Sequence, residues 1–333
     1  MDFDLISAIE NRSPEAAHDA LYARIEQYRN GVPGVSAADA VAAETRTRDA
    51  ADMFRRVEPL DIRAEDLDAR VLHDAVSSGC GLIVRKLVPA EVCAQLRRVI
   101  DTMLDAPQSG EEFTPYRNCP ENVGEILGQQ KLGNSRGFHA ASGSVMCVES
   151  ANVCEALLDL YDNLALPGVL RGFFAGDYCL SALKWVLRRS KLPVSPMGWH
   201  QDGAFMGSDI KSLNMWMSLS DCGADSSAPG LDIIARHLNS VVNAGDGEAA
   251  FSWSFDSARI DRLFGPDAVA SPRFGEGDVY FFDHFMLHRT QHLPGQSRIR
   301  YALETWFFDG SLYPSNQVPL SAFRPAQLRG MPC

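Results

Sequence analysis

The sequence has no apolar run approaching the roughly 18 residues of a membrane span, so no single segment reads as a transmembrane helix. Its first residues, MDFDLISAIENRS, are acidic where a secretory leader is basic, and a cytoplasmic location is expected. Basic residues are few beside acidic ones: 31 Lys and Arg against 43 Asp and Glu, a net charge of −12. That deficit argues against a nucleic-acid binder, because backbone recognition neutralises phosphates with cations. The eight cysteines include no CxxC pair, hence no zinc knuckle or disulfide frame, and they read as scattered small hydrophobes in a reducing compartment. No glycine-rich phosphate loop sits at a strand-to-helix junction, which disfavours a doubly wound nucleotide-binding sheet.

What the 333 residues do contain changes character along the chain. Pro14 to Arg29 carries Ala17, Leu21, Ile25 and Tyr28 at helical spacing behind a cap-like Ser13-Pro14. Further helices are expected over 37–55 and from Ala64 to Ala75, making residues 1–77 a helical extension packed on a core. From residue 78 a second texture begins, with a short β-type run at Gly81 to Val84 and a helix from Pro89 to about Leu104. Its apolar stripe is Val92, Leu96, Val99, Ile100 and Met103. Residues 106–145 are rich in Gly, Asn, Pro and Ser and read as an irregular, lid-like segment.

From Tyr178 onward short apolar or alternating runs follow one another: Leu180 to Leu187, Leu213 to Leu219, Leu231 to Ile234, Asp278 to Phe282 and Tyr301 to Phe308. Their connections are too short or irregular for repeated βαβ crossovers. The expected architecture for 78–333 is therefore mainly β, a double-sheet jelly roll with helices packed outside. Along Arg298 to Phe308, alternation puts Arg298, Arg300, Ala302, Glu304 and Trp306 on one face and Ile299, Tyr301, Leu303, Thr305 and Phe307 on the other. Arginines facing inward are costly to bury without a ligand, which points to a lined cavity.

Two short motifs carry potential chemistry. In an extended Trp199-His200-Gln201-Asp202-Gly203, His200 and Asp202 point the same way and can offer an imidazole and a carboxylate to one metal; a buried His200–Asp202 ion pair is the plainer alternative. His288, after the run ending at Phe282, supplies a third donor. Two histidines and one carboxylate leave three faces of an octahedral ferrous ion open, although zinc also accepts this set. Arg298 and Arg300 follow, and a planar guanidinium matches the distal carboxylate of a 2-oxo diacid, with Thr290 able to add a hydroxyl.

Taken in order, Trp199-His200-Gln201-Asp202-Gly203, Leu213-Asn214-Met215-Trp216, Pro229-Gly230-Leu231-Asp232, Leu287-His288-Arg289-Thr290 and Arg300-Tyr301-Ala302-Leu303-Glu304 resemble the phytanoyl-CoA dioxygenase family. These are Fe(II)/2-oxoglutarate oxygenases built on a double-stranded β-helix, and the resemblance covers roughly residues 78 to 308. It implies that His200, Asp202 and His288 ligate iron, that Arg300 anchors 2-oxoglutarate with Arg298 as competitor, that Gln201 approaches the 1-carboxylate, and that Trp216 and Thr290 pack near the distal end. It also implies O2 as co-reactant and a small-molecule substrate hydroxylated at an unactivated C–H, with release of succinate and CO2. His284 is expected not to be a ligand; His237, His139 and Arg136 are open between substrate contact and structure; His292 reads as solvated; Trp199 and Trp306 read as core aromatics. A metal-dependent cupin-like hydrolase or isomerase, and a non-catalytic interaction protein with structural histidines, are the competing functions. Monomer and homodimer are both open.

Overall fold

Residues 3–31, 56–105, 114–119, 124–125, 128–190, 192, 198–242 and 252–323 are described by the computed structural model. The helix expected over 37–55 lies outside them.

The strands form two main sheets. The larger runs in the order β1 (Leu60–Arg63), β2 (Leu82–Arg85), β12 (Val279–Phe282), β6 (Ser212–Ser218), β14 (Tyr301–Asp309), β4 (Tyr178–Arg189), β15 (Pro319–Ser321), with β3 (Ser144–Met146) also on β4. The smaller runs β10 (Val269–Ala270), β8 (Leu231–Ile234), β13 (His288–Thr290), β5 (Trp199–His200), β9 (Ser254–Phe255), and β7 (Cys222–Gly223) pairs with β11 (Arg273–Phe274) apart from both. Pairing is antiparallel except between β1 and β2. This matches the jelly-roll-like arrangement expected of the C-terminal half.

Alternation along the central strands sorts residues between two cores. On β6 and β14, Leu213, Met215, Met217, Leu303 and Phe307 join the core shared with the helices. Trp216, Ala302, Trp306 and Phe308 join the core that also takes Tyr280 and Phe282 of β12 and Leu231 and Ile233 of β8. The inward face assigned to Arg300, Ala302 and Trp306 is thus the one turned to the smaller sheet. Every residue of β6 is buried, which accounts for its apolar excess: both of its faces are covered.

The helical layer comprises α1 (Leu5–Glu10), α2 (Pro14–Gly31), α3 (Ala69–Ser78), α4 (Ala90–Asp105), α5 (Gln129–Ala141), α6 (Ala151–Asn163) and α7 (Leu166–Phe174). On α2 the predicted stripe Ala17, Leu21 and Ile25 is fully buried. Arg24 lies among these and pairs with Glu155 of α6 through Nε at 2.6 Å, while its Nη1 donates to the carbonyls of Ser321 and Phe323. One buried cation thereby ties the N-terminal helices to the C-terminal strand. Among the described residues no helix is long and apolar enough to cross a membrane.

Two elements differ from the sequence reading. β1 falls within the segment expected to be helical. Its Leu-Asp-Ile-Arg is largely exposed and is held by backbone pairing with β2, so no buried apolar pattern announces it. α5 falls within the segment expected to be irregular. Gly133 and Gly137 weaken its intrinsic propensity, and a tertiary contact, Arg136 Nε to Glu149 at 2.7 Å, holds it.

Candidate metal centre

β5 and β13 are neighbours in the smaller sheet, and His200 and His288 are directly paired across them, with ring centroids 4.4 Å apart. Asp202 reaches the same point by a different route from the one expected. The chain leaves β5 and turns, so Asp202 has helical φ −66 and ψ −25 and opens the short α8 (Gly203–Met206), its carbonyl accepting from the N–H of Phe205 and Met206. His200 Nε2 lies 3.8 Å from Asp202 Oδ1. One donor atom from each of His200, Asp202 and His288 lies within 4.8 Å of the others. Gly203 permits this turn: a Cβ there would come within 2.9 Å of both His284 and Val241.

The hydrogen bonds fix the protonation of the imidazoles. Nδ1 of His200 faces the Gly198 carbonyl at 3.1 Å, and Nδ1 of His288 faces the Met286 carbonyl at 3.0 Å. A carbonyl only accepts, so each Nδ1 carries the proton and each Nε2 presents a lone pair. Asp202 Oδ2 is buried with no partner among the described residues. Burial lowers the His200 imidazole to about 3, with His288 alongside adding to the effect, and burial raises the Asp202 carboxyl. Three acceptors thus converge without a donor among them. That donor set fits a divalent transition-metal ion with coordination positions to spare.

The remaining expected residues separate cleanly. Arg300 is 4% exposed at the start of β14, where its N–H donates to Ser190 Oγ at 2.9 Å. Its Nη1 donates to the Gly230 carbonyl at 3.1 Å, its Nε has no partner among the described residues, and its guanidinium carbon lies 5.6 Å from the Trp216 ring centroid. Burial lowers Arg300 to about 10. Arg298 does not share this face: it precedes the strand, is exposed, and its N–H donates to the Ser227 carbonyl. Alternation extrapolated beyond the strand's first residue is what misplaced it. Thr290 sits on β13 at the parity of His288.

Gln201 also departs from expectation. Its side chain is wholly buried and fully engaged by backbone, with Nε2 donating to the carbonyls of Ser240 and Phe285 and Oε1 accepting from Val242 N–H. It therefore ties the segments at 240–242 and 285 to the stretch between His200 and Asp202. Gln201→Leu, which leaves those three backbone groups unpaired, is expected to lower the affinity for a divalent transition-metal ion by about tenfold and the melting temperature with it. Metal titration and thermal denaturation check both.

His284 bonds Ser212 Oγ at 2.8 Å through Nδ1 and stays out of the centre. His237 bonds the Gly79 carbonyl at 2.9 Å, His292 is exposed, and Trp199 and Trp306 are core residues.

No family model and no curated protein matches the chain. Solved structures do. The epimerase SnoN in complex with Fe3+, alpha ketoglutarate and nogalamycin RO is 12% identical, with 74% of this chain and 86% of that one covered, at a TM-score of 0.49. EvdO2 from Micromonospora carbonacea var. aurantiaca complexed with 2-oxoglutarate is 14% identical, covering 77% of this chain and 93% of that one, at a TM-score of 0.45. Neither likeness singles out the phytanoyl-CoA dioxygenase family, and TM-scores below 0.5 leave the chemistry to be read from this chain's own side chains.

The pairings among those side chains are not visible in the sequence. Arg188 of β4 and Glu304 of β14 form an ion pair at 2.7 Å, and the buried His139 of α5 feels the charges of both and of Lys184. Burial opposes charge on Glu304, but Arg188 and Lys184 outweigh it and hold the carboxyl down at about 2. Asn214 Oδ1 and Trp306 Nε1, on cross-strand neighbours, are buried without partners among the described residues. The residues of β4 and β14 are far apart in sequence, and only the strand register brings them together.

Proposed function

We propose that the protein is an Fe(II)/2-oxoglutarate-dependent oxygenase that hydroxylates a C–H bond of a small molecule, using O2 and releasing succinate and CO2. His200, Asp202 and His288 hold the ion, each imidazole through the Nε2 that its backbone-bonded Nδ1 leaves free. When bound, the ferrous ion with 2-oxoglutarate supplies oxidising power for an unactivated C–H bond. Arg300 receives the distal carboxylate of the cosubstrate on a guanidinium that is buried and incompletely paired, and Trp216 walls that end. Thr290, at the parity of His288 on β13, adds its hydroxyl to the same carboxylate in this reading. Phe282, whose ring centroid is 5.0 Å from that of His288, and Trp306 behind it keep water from the inner side of the centre.

The observation that carries this reading is the convergence of two Nε2 lone pairs and an unpartnered Asp202 oxygen at one buried point. The incompletely paired Arg300 favours an oxygenase over a cupin-like hydrolase, which has no use for a buried cation there. The ordered run of motifs from Trp199 to Glu304 supports the phytanoyl-CoA dioxygenase-like branch. Anaerobic titration tests the proposal: one Fe(II) and one 2-oxoglutarate per chain are expected, with 2-oxoglutarate binding dependent on the metal. Metal-independent binding of 2-oxoglutarate, or none, would overturn it.

A further inference from the structure

Resting on the oxygenase reading, we infer that the substrate carries a single anionic group, a carboxylate or similar monoanion, held by the Lys184 ammonium beside the metal centre, with an apolar body against Phe205 and Trp253.

Lys184 lies on β4 at the same parity as Arg188, which ion-pairs with Glu304 on the inward face of β14. Its ammonium stands 4.5 Å from the Phe205 ring centroid. Phe205 is one turn beyond Asp202 and lies 5.2 Å from the Trp253 ring, which in turn lies 5.6 Å from the His200 ring. A continuous path of contacts therefore leads from the ammonium along an aromatic wall to a metal-facing imidazole. Both Lys184 and Phe205 are half-buried, so this wall is reachable from solvent. Among the described residues Lys184 makes this cation–π contact and no salt bridge. A cation over a ring face keeps N–H donors for an anion. His139, which feels the charges of Lys184 and Arg188, adds a buried Nδ1 with no partner among the described residues.

The charges single out Lys184. Asp202 and Glu304 are negative; Lys184, Arg188 and Arg300 are positive. Arg188 cancels Glu304 through two guanidinium nitrogens on one carboxylate oxygen, at 2.8 and 2.7 Å. A divalent ion on Asp202, together with Arg300, carries two positive charges, and these match the two negative charges of 2-oxoglutarate. Lys184 adds to the field on Glu304, but among the described residues it is, apart from Arg300, the cation of this group in no salt bridge. A half-buried ammonium beside a desolvated centre is unfavourable until an anion meets it. The aromatic wall next to it would cover an apolar surface. A neutral polyol uses neither feature.

The test uses anaerobic enzyme whose Fe(II) and 2-oxoglutarate loading is measured first, so failure of the oxygenase reading shows before any probe is added. Matched probes follow by equilibrium dialysis: benzoate against benzyl alcohol, phenylacetate against phenethyl alcohol, cinnamate against cinnamyl alcohol. The carboxylate of at least one pair is expected to bind about tenfold or more tightly than its alcohol, the range of a charge-assisted hydrogen bond. Lys184→Met should erase that difference and Lys184→Arg should keep it, with 2-oxoglutarate binding the same in both; Lys184→Gln replaces the methionine variant if that fails to fold. Equal binding within every pair, no binding of any carboxylate, discrimination surviving the loss of the ammonium, or weakened 2-oxoglutarate binding in Lys184→Met would each overturn the assignment.

Discussion

Asp202→Asn is expected to abolish 2-oxoglutarate turnover while raising the melting temperature of the metal-free protein. The two effects share one cause. The carboxylate is 4% exposed, has an oxygen without a partner among the described residues, and faces two imidazole lone pairs. Burying a charge in that way costs free energy, and replacing it with a neutral amide removes the cost. The amide also offers an N–H to His200 Nε2, which the carboxylate cannot. Stabilisation of about 1 kcal/mol is expected, measured by thermal or urea denaturation of the apoprotein. Fe(II) affinity should fall by more than about 100-fold, because a neutral amide oxygen replaces an anionic ligand and loss of even a supporting partner costs 10- to 100-fold. The opposite sign on stability would mean that His200 and Asp202 are an ordinary structural ion pair, since breaking one leaves an uncompensated charge. His288→Ala separates the cases further: it should lose the metal equally while gaining no stability, because it opens a cavity against Phe282.

The same residues show what could be read along the chain and what could not. His200, Asp202 and His288 were legible because a metal site needs particular residue types, and those types stood next to strand-like runs. Even so, the rule that i and i+2 share a face gave the right result for Asp202 by the wrong local geometry, since a turn and not a strand carries its carboxylate inward. β6, β8, β12 and β14 were legible because burial imposes a periodicity that side chains record. β1 was not, because an edge strand held by backbone hydrogen bonds needs no apolar pattern. α5 was not, because its stability is supplied by Glu149 and by packing, against the preference of its own glycines. Gln201 was assigned to the cosubstrate by resemblance, whereas its three backbone partners become visible only when the segments at 240–242 and 285 fold around it. The Arg188–Glu304 pair was likewise out of reach, since nothing local in either strand indicates the register that joins them.

Arg300→Met is expected to raise the apparent 2-oxoglutarate constant by about 100-fold, and Arg298→Ala by no more than about twofold. Both arginines precede or open the same strand, and parity alone makes them equivalent. The fold makes them different. The backbone N–H and carbonyl of Arg300 are tied to Ser190 at the end of β4, which fixes where β14 begins and turns the Arg300 side chain toward Trp216 and Gly230. Arg298 lies before that tie and points to solvent. A buried guanidinium whose protein partners are backbone carbonyls retains N–H donors for a carboxylate, and two charge-assisted hydrogen bonds at about 1.5 kcal/mol or more each account for the 100-fold effect. An exposed arginine competes with water and salt and adds little. Arg300→Lys should recover only part of the loss, because an ammonium on a flexible stem cannot present the planar two-donor edge. Calorimetric titration of 2-oxoglutarate into the anaerobic Fe(II) protein measures all three variants against wild type. If Arg298→Ala weakened binding more than Arg300→Met, the carboxylate anchor would lie outside the sheet-lined cavity, and the inward face of β14 would have to serve the substrate instead.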